Sequence, residues 1–335
     1  MNRKIAIDLG TSTVQIYVDG KGVVLNEQSV IAVDKYLNKV VRVGREAEEL
    51  FGREPEGIEV VRPVREGVIS RFNHTVAMIR RFISKGCGRF LIPPGAVIAV
   101  PSIVTDVEEH AVRDAALSAG LKEPYLIDEP VAAAIGAGID VDSDSGHMIV
   151  DIGGGTTDIA VVCLGGAVTS SSIKTAGDSM TEAIVRHVRN KYSIQIGERE
   201  AEKAKITIGS VWRREDVQST EITGKSLKSG VPLITELNSY DMTEALEEPM
   251  TRIIEEICSV IERTPPELVT DVADNGIILT GGGSQIYGLD KIISSVTGLP
   301  VKCAEQPSLC VVCGAAKADT AGLYSDRPRR RINVK

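Results

Sequence analysis

Two short stretches, DLGTST at residues 8–13 and DIGGGTTD at residues 151–158, limit most strongly what this chain can fold into. Strand-like apolar runs flank each of them, Lys4 to Asp8 and Val14 to Val18 around the first, Met148 to Asp151 and Asp158 to Cys163 around the second. Such runs on both sides of a polar, glycine-bearing turn predict a hairpin. In both cases an acid ends the entering strand, and further strand-like sequence and then helices follow, for example the helical pattern Asp178 to Arg189. The chain therefore reads as a duplicated α/β unit in which each half brings one turn to a shared cleft. Its 335 residues suffice for two such lobes.

Glycine lets backbone amides approach an anion without obstruction by Cβ, and consecutive amides in a turn form a phosphate-binding nest. Gly10, Thr11, Ser12 and Thr13 would hold a polyphosphate from one side, and Gly153, Gly154, Gly155, Thr156 and Thr157 from the other, with the hydroxyls as further donors. A hairpin can need glycine for its φ angles alone. The phosphate reading therefore rests on three turns together. In the third, Gly281, Gly282 and Gly283 follow a strand at 276–280, and Ser284 is placed to cap the next helix. A sugar or base can lie flat on such bare backbone. Asp8 and Asp151 end equivalent strands, facing the same phosphates; their mutual repulsion calls for a cation, and magnesium, a hard ion that prefers oxygen, suits the place. The alternative is that each aspartate caps its own turn.

Between the halves, residues 105–120 have helical spacing, 124–128 form a strand, and a helix starts near Glu129 and Pro130. Residues 212–237 are polar and irregular, as expected of a surface excursion. Hydrophobic residues make up 43% and charged residues 25%, an ordinary globular balance. The net charge of −8 argues against a general pull toward nucleic acid. The six cysteines are scattered, and CVVC at 310–313 lacks a second pair, so they are expected to be buried thiols in a reducing cytoplasm. Neither a signal peptide nor a membrane span is legible.

DLGTST, LIDEPVAAAIG, VDIGGGTTDIAVV, TAGDSMTEAI, IGEREAEKAKITIG and LTGGGSQIYGLDKII stand in the order and spacing of the actin, heat-shock-chaperone and sugar-kinase ATPase superfamily. GKGVVLNEQSVIAVD and VRPVREGVI narrow the resemblance to the bacterial actin MreB family with its Mbl-type paralogues. It spans residues from about 4 to about 320. The resemblance implies an actin-like ATPase fold, two duplicated ribonuclease-H-like α/β lobes in four subdomains around a nucleotide cleft. It places lobe I at residues 1–140, with a smaller subdomain inserted at about 32–70. Lobe II would take residues 141–335, with an insertion at about 181–250 and a segment at about 315–335 returning to lobe I.

Carried over by position, the resemblance makes the two glycine turns the phosphate loops and adds Gly177. It makes Glu202 and Lys205 ribose and adenine contacts, and 281–284 the adenosine loop. ATP or ADP with Mg2+ would occupy the cleft. Glu129 falls where the family places the residue that orients the attacking water. A carboxylate one water away from a γ-phosphate can do this, because phosphoryl transfer needs positioning and charge stabilisation more than a strong base. Asp158 either holds the same water or pairs with a neighbouring strand.

The resemblance further implies slow hydrolysis, homopolymerisation into paired protofilaments, and a peripheral place at the inner face of the cell membrane, with wall-synthesis and membrane-anchor proteins as partners. Phe90, Leu91 and Ile92 form an apolar loop closed by Pro93 and Pro94, matching the family's membrane contact. The basic run 327–335 either adds attraction to lipid or is a solvated end. A monomeric chaperone or kinase of the same superfamily is the alternative. It would need a substrate domain after about residue 320, or an elaborated sugar cleft.

Overall fold

The computed structural model describes residues 4–88 and 92–320. Its two large sheets repeat one topology. In the first, Gly22–Gln28, Thr13–Val18 and Lys4–Leu9 form an antiparallel meander, and Gly95–Val100 and then Lys122–Asp128 add parallel to the far side of Lys4–Leu9. In the second, Gly166–Ile173, Thr157–Cys163 and His147–Ile152 form the meander, extended in parallel by Ile277–Thr280 and Val301–Cys303.

The register repeats as well. Asp8 lies opposite Gln15, and Asp151 lies opposite Asp158. Both meanders carry a one-residue irregularity between their second and third strands, at Ile16/Tyr17 and at Val161/Val162. Such bulges increase local twist. The duplicated α/β architecture expected from the paired turns is the observed one.

Each large sheet is accompanied by a smaller, three-stranded one. Lys39–Val43, Ile31–Asp34 and Ile58–Val61 form the first, and Ile194–Gln195, Ser219–Ser226 and Pro232–Asn238 the second. The polar stretch expected as irregular, 212–237, thus contains a paired hairpin. Its outward positions are polar on one strand, and the strand pattern is diluted by Gly224 and Pro232, so no clean alternation shows in the sequence.

Separate apolar cores fill the lobes, one around Ile7, Ile16, Met78 and Phe82, the other around Met148, Ile159, Met180 and Ile253. A third core joins the back faces of both sheets. Ala6, Val97 and Ile127 meet Ile149, Ala160 and Val162 there, through the helices Glu129–Gly136 and Cys310–Thr320. Small residues let these two helices come unusually close: a Cβ on Gly136 would strike the Cys310 carbonyl, and one on Gly314 the Ala132 carbonyl. No side-chain rotation relieves a clash with backbone. Gly136→Ala should therefore destabilise the protein by about 1–3 kcal/mol, read as a lower urea midpoint at an unchanged slope.

The cysteines depart from expectation. Cys163 and Cys310 are buried, whereas Cys303 is exposed and the other three are intermediate; no disulfide forms among them. Burial pushes the Cys310 thiol up to about 12, with nearby Asp151 adding to the rise, which makes it inert. No helix among the described residues is long and apolar enough to cross a membrane.

Candidate functional site

The repeated topology brings the ends of both entering strands, and both glycine turns, to one cleft. The turns touch. A Cβ on Gly154 would run into Ser12, and one on Gly155 into Thr11, so only bare backbone fits there. Gly10 is similarly confined, 2.8 Å from its imagined Cβ to the Thr13 carbonyl. The helix Gly177–Tyr192 begins against the second turn, with the Gly177 and Asp178 amides donating to the carbonyls of Gly153 and Gly154 at 3.1 and 2.8 Å.

Not every hydroxyl in the turns is available as a donor to phosphate. Thr157 is fully buried and donates to the Thr175 carbonyl at 2.7 Å, so it braces the loop instead of facing the cleft. Thr11 Oγ1 accepts the Gly67 amide at 2.9 Å, and its own proton remains to be placed. Ser12 donates to Asp178 across 3.2 Å. The Gly153 amide bonds the Thr156 carbonyl and closes the second turn on itself.

Four carboxylates converge on the cleft. Burial is the main force on each. Asp8 and Asp151 are pushed up to about 7, the latter despite the Thr280 hydroxyl that donates to its Oδ1 at 2.6 Å, and Asp158 to about 6. Glu129, 9% exposed, is raised well above the usual carboxylate range by burial and then by Asp158, Asp8, Asp151 and Asp128. The Ser102 amide donates to Asp158 Oδ1 at 2.9 Å, and the Ser172 and Thr156 side chains also favour its charged form, so burial wins only in part there. So many carboxylates gathered in one buried cluster fit a site completed by a hard divalent cation. Asp8 and Asp151 have the chemistry to hold it.

Glu129 opens the helix Glu129–Gly136, with Pro130 in the first turn where a missing amide proton costs nothing. The helix Asp106–Ala119 prepares its position. Thr105 and Glu108 close a capping box at one end and Gly120 takes a left-handed conformation at the other, which aims the strand Lys122–Asp128 at the cleft.

On the far side of the phosphate turns, Lys205 is buried and fixed. It pairs with Glu202 at 2.6 Å and donates to the Gly177 carbonyl and Thr181 at 2.7 and 2.9 Å. Gly281, at φ 81°, and Gly283 lie so close to Ile152 that a Cβ on either would collide with it. Ser284 does not cap the next helix. It sits inside a 3-10 turn, Gly282–Gln285, and donates to the Gly281 carbonyl at 2.7 Å, while Gly288 precedes the helix Leu289–Thr297.

The structure also places residues that the sequence did not single out. Gln15, 2% exposed, occupies the register position equivalent to Asp158 and bonds the Ser308 carbonyl at 2.9 Å, leaving its buried oxygen unpartnered. Aligning the two hairpins on Asp8 and Asp151 would have found it. Ile92 is exposed, whereas Phe90 and Leu91 of the apolar loop, and the basic tail, lie outside the described residues.

The model of the MreB/Mbl protein family matches residues 2–322. The cell shape-determining protein Mbl of Bacillus cereus is 45% identical over 313 residues, 93% of this chain and 94% of that protein. The cell shape-determining protein MreB of Escherichia coli is 43% identical over 320 residues, 94% and 92% of the two chains. The crystal structure of MreB 5 of Spiroplasma citri bound to AMPPNP superimposes with a TM-score of 0.92 at 33% identity, covering 96% of this chain and 97% of that one. A MamK double helical filament shares the fold, with a TM-score of 0.82 at 22% identity. With nearly its whole length matched in sequence and in structure, the chain belongs to the MreB/Mbl family.

Proposed function

We propose that this chain is an ATP-dependent bacterial actin that polymerises into paired protofilaments at the inner face of the cell membrane and there organises wall synthesis and rod shape. One observation carries the reading: two glycine turns in contact across a cleft that is lined by four buried carboxyl groups. The relatives named for cell-shape determination, and the Spiroplasma citri structures bound to AMPPNP and ADP, support it. We divide the chain near residue 140 into two lobes, each with its smaller sheet as a subdomain.

In this reading the amides of both turns cradle the phosphates, Glu202 and Lys205 take the ribose and adenine, and 281–284 takes the face of the nucleoside. Asp8 and Asp151 would hold magnesium, which would offset phosphate charge. Water attacks the γ-phosphorus and the bond to the bridging oxygen of ADP breaks. Glu129 accepts a hydrogen bond from that water and fixes its approach. Asp158, with one oxygen held by the Ser102 amide, is the second acceptor.

Sedimentation and negative-stain microscopy with ATP and magnesium, with and without liposomes, test the proposal. Filaments should pellet with nucleotide and co-sediment with lipid; protein that stays monomeric in every condition rules the reading out. Replacing Phe90, Leu91 and Ile92 by serine should abolish lipid co-sedimentation and leave polymerisation intact, since each loop contributes little and a polymer presents many. Undiminished lipid binding would transfer the contact to the basic tail.

A further inference from the structure

We propose that Asp178 is the shared acceptor of an interlobe latch, Ser12–Asp178–Arg62, and that this latch sets how long nucleotide stays in the cleft. The inference rests on nucleotide occupying that cleft. Asp178 is the second residue of the helix Gly177–Tyr192 in the second lobe, while both of its side-chain donors come from the first lobe. Ser12 belongs to the first phosphate turn. Arg62 follows the strand Ile58–Val61 of the smaller sheet, with Phe51 beneath its guanidinium at 6.0 Å from the ring centre.

The distances give the latch a direction. One Arg62 nitrogen, Nη1, lies 3.4 Å from both Asp178 oxygens. Charge-assisted contacts of this type close to about 2.7–2.9 Å. The pair is thus aligned on the carboxylate but about half an ångström too long, and a small approach of the lobes would complete it. Ser12 has a single proton and gives it to Asp178. A phosphate seated on the Gly10–Thr13 turn is a rival acceptor of higher charge. Once the Ser12 proton turns to the phosphate, Asp178 has lost a donor and Arg62 is the partner left to satisfy it.

Phosphate occupancy and lobe closure are therefore coupled, and coupling is reciprocal: whatever weakens Arg62–Asp178 weakens the closed, nucleotide-holding state and with it nucleotide affinity. Asp178 transmits the change directly, because its amide is bonded to the Gly154 carbonyl of the second turn at 2.8 Å. A second ion pair between the lobes, Lys174–Glu66 at 2.6 Å, is a weaker candidate, since both side chains are more than half exposed. Arg62 and Asp178 are 28% and 39% exposed.

Release of a fluorescent ADP analogue, chased with unlabelled ATP and followed by stopped flow on the full-length protein kept below its polymerising concentration, tests the latch. Asp178→Asn and Arg62→Gln should each speed release by roughly 5–20-fold, and the double variant should be no faster than either single one. Rates equal to wild type, or single effects that multiply in the double variant, overturn the latch. Arg62→Lys keeps the charge on a differently shaped, more flexible head and should fall between; a wild-type rate there also overturns it. Thermal midpoints confirm that the variants fold. Wild-type protein that fails to bind the analogue at all would overturn the nucleotide site itself, whereas binding with unaltered release in the variants removes only the latch.

Discussion

Glu129→Gln should leave nucleotide binding intact and slow phosphate release by roughly 10²–10⁴-fold, the usual worth of a positioned proton acceptor. The replacement preserves shape at a site that is 9% exposed, so the close packing of the helix Glu129–Gly136 against Cys310–Thr320 survives. What changes is the acceptor. Gln keeps one carbonyl oxygen and puts an amide donor where the second carboxylate oxygen stood, so the attacking water meets a repelling group in half of the available orientations. Because burial and the neighbouring acids already disfavour the charged form of Glu129, the replacement changes the charge met by an incoming polyphosphate little, and affinity should stay close to wild type. Single-turnover phosphate release read beside equilibrium binding separates the two effects. Unchanged release with intact binding would take Glu129 out of the mechanism and leave Asp158 as the water-holding group.

The parts of this site that were legible in the sequence are those in which cause and effect lie close along the chain. Glycines 153–155 and 281–283 announce bare backbone, Asp8 and Asp151 end matched strands, and residues 105–120 carry helical spacing. The rest depends on distant partners. Ser12 meets Asp178 across 166 positions, Arg62 meets Asp178 across 116, Ser102 meets Asp158 across 56 and Gln15 meets Ser308 across 293. No local pattern encodes such contacts. The reading of Thr157 failed for the same reason, since the Thr175 carbonyl, 18 positions away, claims its hydroxyl; that of Ser284 failed locally, its hydroxyl turning back to the Gly281 carbonyl three residues earlier inside the 3-10 turn. The hairpin within 219–238 was hidden because one face of a three-stranded sheet stays exposed and tolerates polar residues on both sides of the pleat.

Asp151→Asn should make the nucleotide-free protein more stable in the presence of a chelator, by about 2–4 kcal/mol at pH 8, and should abolish the stabilisation that magnesium and ATP give the wild type. The sign follows from proton binding. Asp151 and Asp8 stand near 7 in the folded protein against an ordinary 3.8, so between those values the folded state holds protons that the unfolded state has released. Stability contributed in this way is complete below about pH 4 and is lost as pH rises through 7. The wild type should therefore lose stability across that window, and Asp151→Asn should lose less of it. The variant's advantage should shrink toward pH 5 and vanish below 4. Its amide oxygen can still accept the Thr280 hydroxyl, so the difference reports charge and not a broken hydrogen bond. The four acids act on one another, and the gain from removing a second one should be smaller than from the first. Thermal midpoints measured from pH 4 to 8, with chelator and then with magnesium and ATP, check this. A chelated wild type equally stable at pH 5 and 8, or a variant less stable than wild type at pH 8, would sink the argument. If both signs hold, the repulsion that weakens the empty protein is the same free energy that a bound cation relieves, and the destabilised cleft is what makes folding, closure and nucleotide binding respond together.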